Sequence, residues 1–225
     1  MTDKIKLLLA AATKAIAGCA IMGLLIFAPA GTLSYHGAWL LLGILFIPMT
    51  VMGIILFIKS PELLRRRLAS KEKRSTQQGV IKLSGLIFVA GFIIAGLDYR
   101  WGWSDVPQCV VYGSALLFLV GYALYGEVMR ENVWLSRTVH VEKEQEVITT
   151  GLYGIVRHPM YTATLLMFLA MPLVLGSAVS FAVFLVYPFL LVKRIRNEEQ
   201  VLEDGLVGYM EYKQKVKYRL IPFIW

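Results

Sequence analysis

Charge is scarce in this chain. Asp, Glu, Lys and Arg make up 17% of its 225 residues, against roughly a quarter in a soluble domain. Cysteine and histidine are scarcer still, at two and three residues. Cys19 and Cys109 stand in or beside apolar runs with no partner spacing, so neither a disulfide framework nor a zinc site is expected. No His pairs with another His or Cys at ligand distance, so metal chemistry is not expected either. Internal repeats and low-complexity tracts are also lacking.

Long apolar runs fill the space. The chain is 57% hydrophobic with a mean hydropathy of +0.64. Ala15–Leu33, Ala38–Ile58, Leu83–Leu97, Val106–Gly126 and Pro159–Val192 carry no charge. Three of these runs hold 19 to 21 residues, close to the ~20 that cross a ~30 Å hydrocarbon core as helix. Lys4 and Lys6 ahead of an apolar stretch suit a secretory signal, but the stretch is long for one, and a retained span is the better reading.

The last run has 34 residues, too long for one crossing and short for two. Gly176-Ser177 near its middle is a turn signal. A hairpin of two short helices, about 160–175 and 177–193, is therefore expected, with kinks near Pro172 and Pro188. The expected fold is an all-α integral membrane protein of about six transmembrane helices. Residues 1–126 form a bundle of four spans. Residues 127–225 form a second module with the hairpin and a cytoplasmic C-terminal helical cap.

Six crossings would place both termini on one side. That face would hold 22 of the 23 Lys and Arg, with Arg100 alone opposite. The positive-inside rule makes it cytoplasmic, in a cell or inner membrane. The net charge of +8 then points to anionic lipid rather than to nucleic acid. The basic loop SPELLRRRLASKEKRSTQQG reads as a solvated segment facing the headgroups.

Chemistry is sought where apolar composition leaves polar groups unexplained. Three clusters follow residue 126: 137–147, 153–161 and 194–199. The hairpin returns the chain to the face it left, so the second and third clusters meet at its mouths. In YGIVRHPMY, Pro159 suits a first helical turn, whose free N–H groups can hold a carboxylate or ribose oxygens. The same residues suit an interfacial anchor equally well. In KRIRNEEQVL, Arg194 and Glu198 are four apart and share a helix face. Arg194 offers a planar fork to an anionic ligand.

Two features carry no such reading. Gly205 and Gly208 follow no strand, against a dinucleotide turn. The tail EYKQKVKYRLIPFIW reads as an interfacial strap.

Taken in order, EVITTGLYGIVRHPMY, an apolar hairpin, RIRNEEQVL and GYMEYKQKVKYRLIP resemble the isoprenylcysteine carboxyl methyltransferase family of membrane enzymes. The resemblance covers residues 130 to 225. It implies methyl transfer from S-adenosylmethionine to the carboxylate of a lipidated C-terminal cysteine, the lipid or lipidated substrate entering from the bilayer. Carried over by position, the cofactor contacts are His140, Val147, Ile148, Tyr153, His158, Pro159, Met160, Tyr161 and Glu198. Arg194 corresponds to the substrate-side arginine, which makes Arg194 and Glu198 the catalytic pair. Thr162-Ala163 departs from the small pair with Gly found in many relatives. Residues 1–125 show no match.

The implied chemistry suits these residues. A carboxylate is ionised at pH 7, so attack on a sulfonium methyl needs no general base. Alignment and exclusion of water are what the site must supply. Three alternatives stay open: an amine N-methyltransferase leaning on a base such as His158, an NADPH-dependent membrane reductase related to sterol reductases, and a small transporter or scaffold. The last would place polar residues mid-span, where almost none occur.

Overall fold

The computed structural model describes residues 3–68, 75–136, 138 and 141–225, with backbone alone at 75 and 76. Arg137 and His140 fall outside the described residues, so the expectation for His140 lies there too.

Four long helices build the first part of the chain: α1 (Asp3–Ala30), α2 (His36–Lys59), α4 (Ser75–Trp101) and α5 (Gln108–Glu131). Each contains a stretch long and apolar enough to cross a membrane, as the uncharged runs led one to expect. Ile16, Leu24, Ile58 and Leu116 point outward and are 64–71% exposed. Hydrocarbon, not water, is the solvent in which those faces are stable.

The short α3 (Pro61–Leu68) joins α2 to this bundle. Pro61 opens it, Glu62 lies in its first turn and Arg65, Arg66 and Arg67 in its last. That order complements the helix dipole at both ends.

The apolar run from Pro159 does form a hairpin. α6 (Pro159–Val174) leads into a turn at Gly176, whose φ of +71° suits glycine, and α7 (Ala178–Phe184) returns. The returning arm differs from expectation in two ways. It breaks after Phe184, and its continuation, α8 (Tyr187–Gly205), runs well past residue 193. Pro188 explains the break, since it has no N–H to give the carbonyl four residues back.

Among the described residues five helices are long and apolar enough to cross, with Ala178–Gly205 counted as one, and a shorter apolar helix, α6, stands beside them. α6 has only 16 residues, about 24 Å at 1.5 Å per residue. It is the short one, and it lies along α5. A Cβ on Gly121 of α5 would sit 2.8 Å from Met167 Cγ and 3.0 Å from the Ala163 carbonyl. The close approach of the two helices is supplied by Gly121 of α5 against a fully buried Ala163.

One apolar core joins these pieces: Ile26, Leu41, Phe92, Phe118, Met171 and Phe184 come from six different helices. The hairpin tip is fixed by Asp98, which is 2% exposed. Its carboxylate accepts from Ser104 N at 2.8 Å, Ser104 Oγ at 2.6 Å and Ser177 Oγ. Three donors offset the cost of burying the charge. A last helix, α9 (Tyr209–Lys215), follows α8 after Gly208. With the tip held, the polar half of α8, the described residues of 132–158 and the C-terminal tail gather at the opposite end of the bundle.

Candidate functional site

The tail is more than a strap. Its carbonyls at Tyr218 and Arg219 accept from the amides of Arg157 and His158, each at 2.9 Å. Thr162 Oγ1 donates to the Leu220 carbonyl at 2.7 Å. The Tyr161 amide is taken by the His158 carbonyl at 3.0 Å. These amides are therefore satisfied within the chain, so the α6 start offers fewer of them to a ligand than expected.

Beneath this pairing lies a buried ionic knot. Arg157 Nε meets Glu199 Oε1 at 2.7 Å, with both side chains 4% exposed. Arg157 Nη1 donates to the carbonyls of Val216 at 2.7 Å and Lys217 at 2.9 Å. Arg219 Nε reaches Glu199 Oε2 at 2.8 Å. His158 Nε2 stands 3.3 Å from Glu199 Oε1, which favours the tautomer with its proton on that nitrogen. Four elements meet on one carboxylate: the loop before α6, the α6 start, α8 and the tail.

The neighbouring carboxylate has a different task. Glu198 accepts from the Tyr161 hydroxyl, and that hydroxyl accepts from Arg194 Nε at 2.8 Å. The Arg194 guanidinium carbon also lies 5.8 Å from the centre of the Tyr161 ring. Arg194 and Glu198 share a helix face as expected, with Tyr161 of α6 inserted between them. Tyr161 is 5% exposed and its ring stacks near His158 at 5.7 Å.

A pocket opens beside this chain, with about 820 Å³ of non-atom space, solvent at its mouth included. Val147, Ile148, Tyr153, His158, Met160, Tyr161 and Glu198 all line it. Seven positions carried over from the resemblance thus line one pocket. Pro159 starts α6 without lining the pocket, and Arg194 connects to it through Tyr161.

Other lining residues escaped the sequence reading: Asn132, Trp134, Ser136, Tyr209 and Tyr212 among them. Asn132 Nδ2 donates to the Tyr153 hydroxyl at 2.8 Å, and Tyr212 donates to the Tyr153 carbonyl at 2.7 Å. Burial pushes Tyr153 up to about 12, so its hydroxyl stays protonated.

The basic loop also departs from expectation. Arg66 Nη1 donates to the Val133 carbonyl at 2.5 Å, pairs with Glu142 at 2.7 Å and lies over the Trp134 ring at 5.0 Å. Arg67 donates to the Tyr125 hydroxyl and, at 3.3 Å, to the Ser136 carbonyl. Leu63 and Leu64 pack in one cluster with Leu135 and Tyr153. α3 braces the back of the pocket wall instead of standing in solvent.

Fold and site define an integral membrane protein of helices with a ligand pocket at one end of a hairpin. Residues 111–204 match the family described as isoprenylcysteine carboxyl methyltransferase (ICMT). The eukaryotic intramembrane Ras methyltransferase ICMT shares the fold over 99% of this chain and 88% of its own, with a TM-score of 0.50 at 16% identity. That segment of the chain is thus similar to the isoprenylcysteine carboxyl methyltransferase family, and the fold is shared with the solved enzyme.

Curated relatives include the Delta(14)-sterol reductase TM7SF2 of Mus musculus, 33% identical over 124 residues, 49% of this chain and 30% of that protein. The Delta(14)-sterol reductase of Methylotuvimicrobium alcaliphilum is 24% identical over 136 residues, 54% of this chain and 32% of that protein. The chain spans about a third of the length of these curated relatives.

Proposed function

We propose that this protein is an S-adenosylmethionine-dependent methyltransferase acting on a lipid-linked carboxylate. The observation that carries the reading is the pocket's charge. Glu146 and Glu198 line it, while Arg157 is committed to Glu199 and two carbonyls. A ligand with a sulfonium and an ammonium suits such a wall; a polyphosphate does not.

When bound, S-adenosylmethionine supplies an electrophilic methyl whose S–C electron pair returns to sulfur on transfer. Val147, Ile148, Tyr153, Met160 and Tyr161 would hold the cofactor, and Glu198 its ammonium. Arg194, on the hairpin side of Tyr161, would orient the acceptor carboxylate. No group is needed to take a proton from the ionised acceptor. The Arg157–Glu199–Arg219 knot keeps α6, α8 and the tail in register, so the two sides of the reaction stay aligned.

The acceptor enters from the bilayer between the hairpin and the bundle of residues 1–126. Both termini and the basic face lie in the cytoplasm against anionic lipid. A label on a cysteine placed at the exposed Ala178, beside the turn, should be reachable only from outside. Reaction from the cytoplasmic side alone would reject this topology.

A second reading, NADPH-dependent reduction, is favoured by the names of the curated relatives. Calorimetry on the purified protein in detergent separates the two. S-adenosylhomocysteine should bind and NADPH should not; the reverse result overturns the methyltransferase reading.

A further inference from the structure

The end of the bundle that carries the hairpin tip is tied together by side chains. The Tyr35 hydroxyl donates to the Leu175 carbonyl, Ser177 Oγ donates to Asp98, and the Ala178 amide donates to Ser104 Oγ at 3.0 Å. The loops 31–35, 102–107 and 175–177 therefore sit side by side, at the far end from the pocket. Among the described residues Arg100, in the last turn of α4, is the one Lys or Arg there.

Arg100 is exposed, and it has no hydrogen bond or ion pair with another described residue. Its guanidinium lies along Gly31: a Cβ on that glycine would stand 3.5 Å from Nη1 and 3.6 Å from Cζ. Gly31 in turn lines an apolar groove between α1 and α2, with about 1110 Å³ of non-atom space, its open side included. Cys19, Gly23 and Phe27 of α1 and Trp39 and Leu42 of α2 line it as well. From Cys19 to Ala28 α1 rises about 14 Å at 1.5 Å per residue, close to the depth of one leaflet of a ~30 Å hydrocarbon core. Gly23 serves no close helix contact, since a Cβ there would meet only the Phe27 ring, at 3.9 Å.

We propose that this groove binds an anionic phospholipid of the leaflet at the hairpin-tip end, with one acyl chain in the groove and the phosphate on Arg100. The depth fits. Trp39 at the groove gives its Nε1 proton to the Leu33 carbonyl at 2.8 Å, and Trp101 and Trp103 pack beside Arg100 with ring centres 5.0 Å apart. Such rings settle at headgroup level, so the guanidinium stands among phosphates while the groove runs from there toward the midplane. The chemistry fits too. A guanidinium presents a planar fork to phosphate oxygens, and a headgroup without an ammonium of its own offers more to a cation that has no counter-charge. The site is independent of what the pocket at the other end binds.

The test uses the full-length protein in nanodiscs of phosphatidylcholine holding a small fraction of phosphatidylglycerol with a diazirine near the end of one acyl chain. After illumination and digestion, mass spectrometry should place the adduct within residues 19–42. Unlabelled phosphatidylglycerol should suppress it at a mole fraction about three-fold or more below that needed for phosphatidylethanolamine. Arg100→Gln, which removes the charge, and Gly23→Leu, which fills the groove, should each reduce the adduct by about the same factor. Gly23→Leu places a better helix former in open space, so its thermal midpoint should not fall, and loss of its adduct then reports the groove rather than misfolding. An adduct spread over all lipid-facing helices, or one that neither variant reduces, would overturn the site. Equal suppression by the two lipids would overturn the anionic headgroup. A dimer in the nanodisc that Gly23→Leu dissociates would give the groove to a second copy of the chain, and overturn the proposal.

Discussion

Arg157 and Glu199 lie 42 positions apart in the chain and meet at 2.7 Å in a place water barely reaches. Glu199 is also the partner of Arg219 and the neighbour of His158. The carboxylate thus neutralises cations from the α6 entry and the tail together. Glu199→Gln leaves both arginines without their counter-charge. Breaking one side of a buried ion pair costs about 3–5 kcal/mol, so the thermal midpoint in detergent should fall sharply. Trypsin should also cut sooner after Lys217 and Arg219. A midpoint and cleavage rate like those of the wild type would remove the knot from the account.

The Tyr161 hydroxyl links Glu198 to Arg194, so its loss should touch both substrates. Tyr161→Phe keeps the ring against His158 but removes the hydroxyl that both charged partners share. S-adenosylhomocysteine affinity and turnover should each drop several-fold, given ~1.5–3 kcal/mol for hydrogen bonds to charged groups. Calorimetry and an assay at saturating cofactor measure the two separately. A change in neither would mean that the link is incidental.

Arg194→Lys separates acceptor from cofactor. The lysine keeps the charge and loses both the fork and the Nε contact to Tyr161. Methyl transfer should fall ten-fold or more, while S-adenosylhomocysteine affinity changes much less. Glu198→Gln should do the opposite, weakening the cofactor more than it slows saturated turnover. Near-normal turnover by folded Arg194→Lys would contradict the carboxylate clamp.

α3 yields a prediction outside residues 111–204, the segment shared with the family. Arg67→Ala removes the contacts to the Tyr125 hydroxyl and the Ser136 carbonyl. Ser136 lines the pocket, so cofactor affinity should weaken by about ten-fold, as loss of one charged hydrogen bond implies. Titration calorimetry checks it, and unchanged affinity would confine α3 to packing.

The parts of this molecule that can be read from sequence are those governed by solvent and by local backbone chemistry. Runs such as Ala38–Ile58 announce helices because their length matches a bilayer. Gly176 announces its turn because few other residues adopt its φ. His158-Pro159 marks the start of α6 for the same kind of reason.

Partnership across the chain is not local and leaves little trace. Glu198 and Glu199 are adjacent and identical in type, yet helical geometry turns them about 100° apart. One meets Tyr161 and the other meets Arg157, His158 and Arg219. Arg66 and Arg67 looked solvated because their partners, the Val133 and Ser136 carbonyls, Glu142 and the Tyr125 hydroxyl, stand far along the chain. Tyr209 stands just ahead of the tail that reads as basic and aromatic, and only the fold shows that it is buried. The early end of α7 needed the position of Pro188 counted four residues back, a finer reading than the turn signal alone.

The central claim is that a methyl group moves from S-adenosylmethionine to a carboxylate oxygen on a lipid-bearing acceptor. The direct test uses cofactor labelled in the methyl group, the purified protein in lipid, and a prenylated cysteine with a free carboxylate. The product is then treated with alkali, which releases methanol from a methyl ester and leaves an N-methyl group in place. The account predicts label in the lipid product that becomes volatile with alkali, and its loss when the acceptor's carboxylate is blocked as an amide. Alkali-stable label, or no transfer from a cofactor that binds, would contradict it.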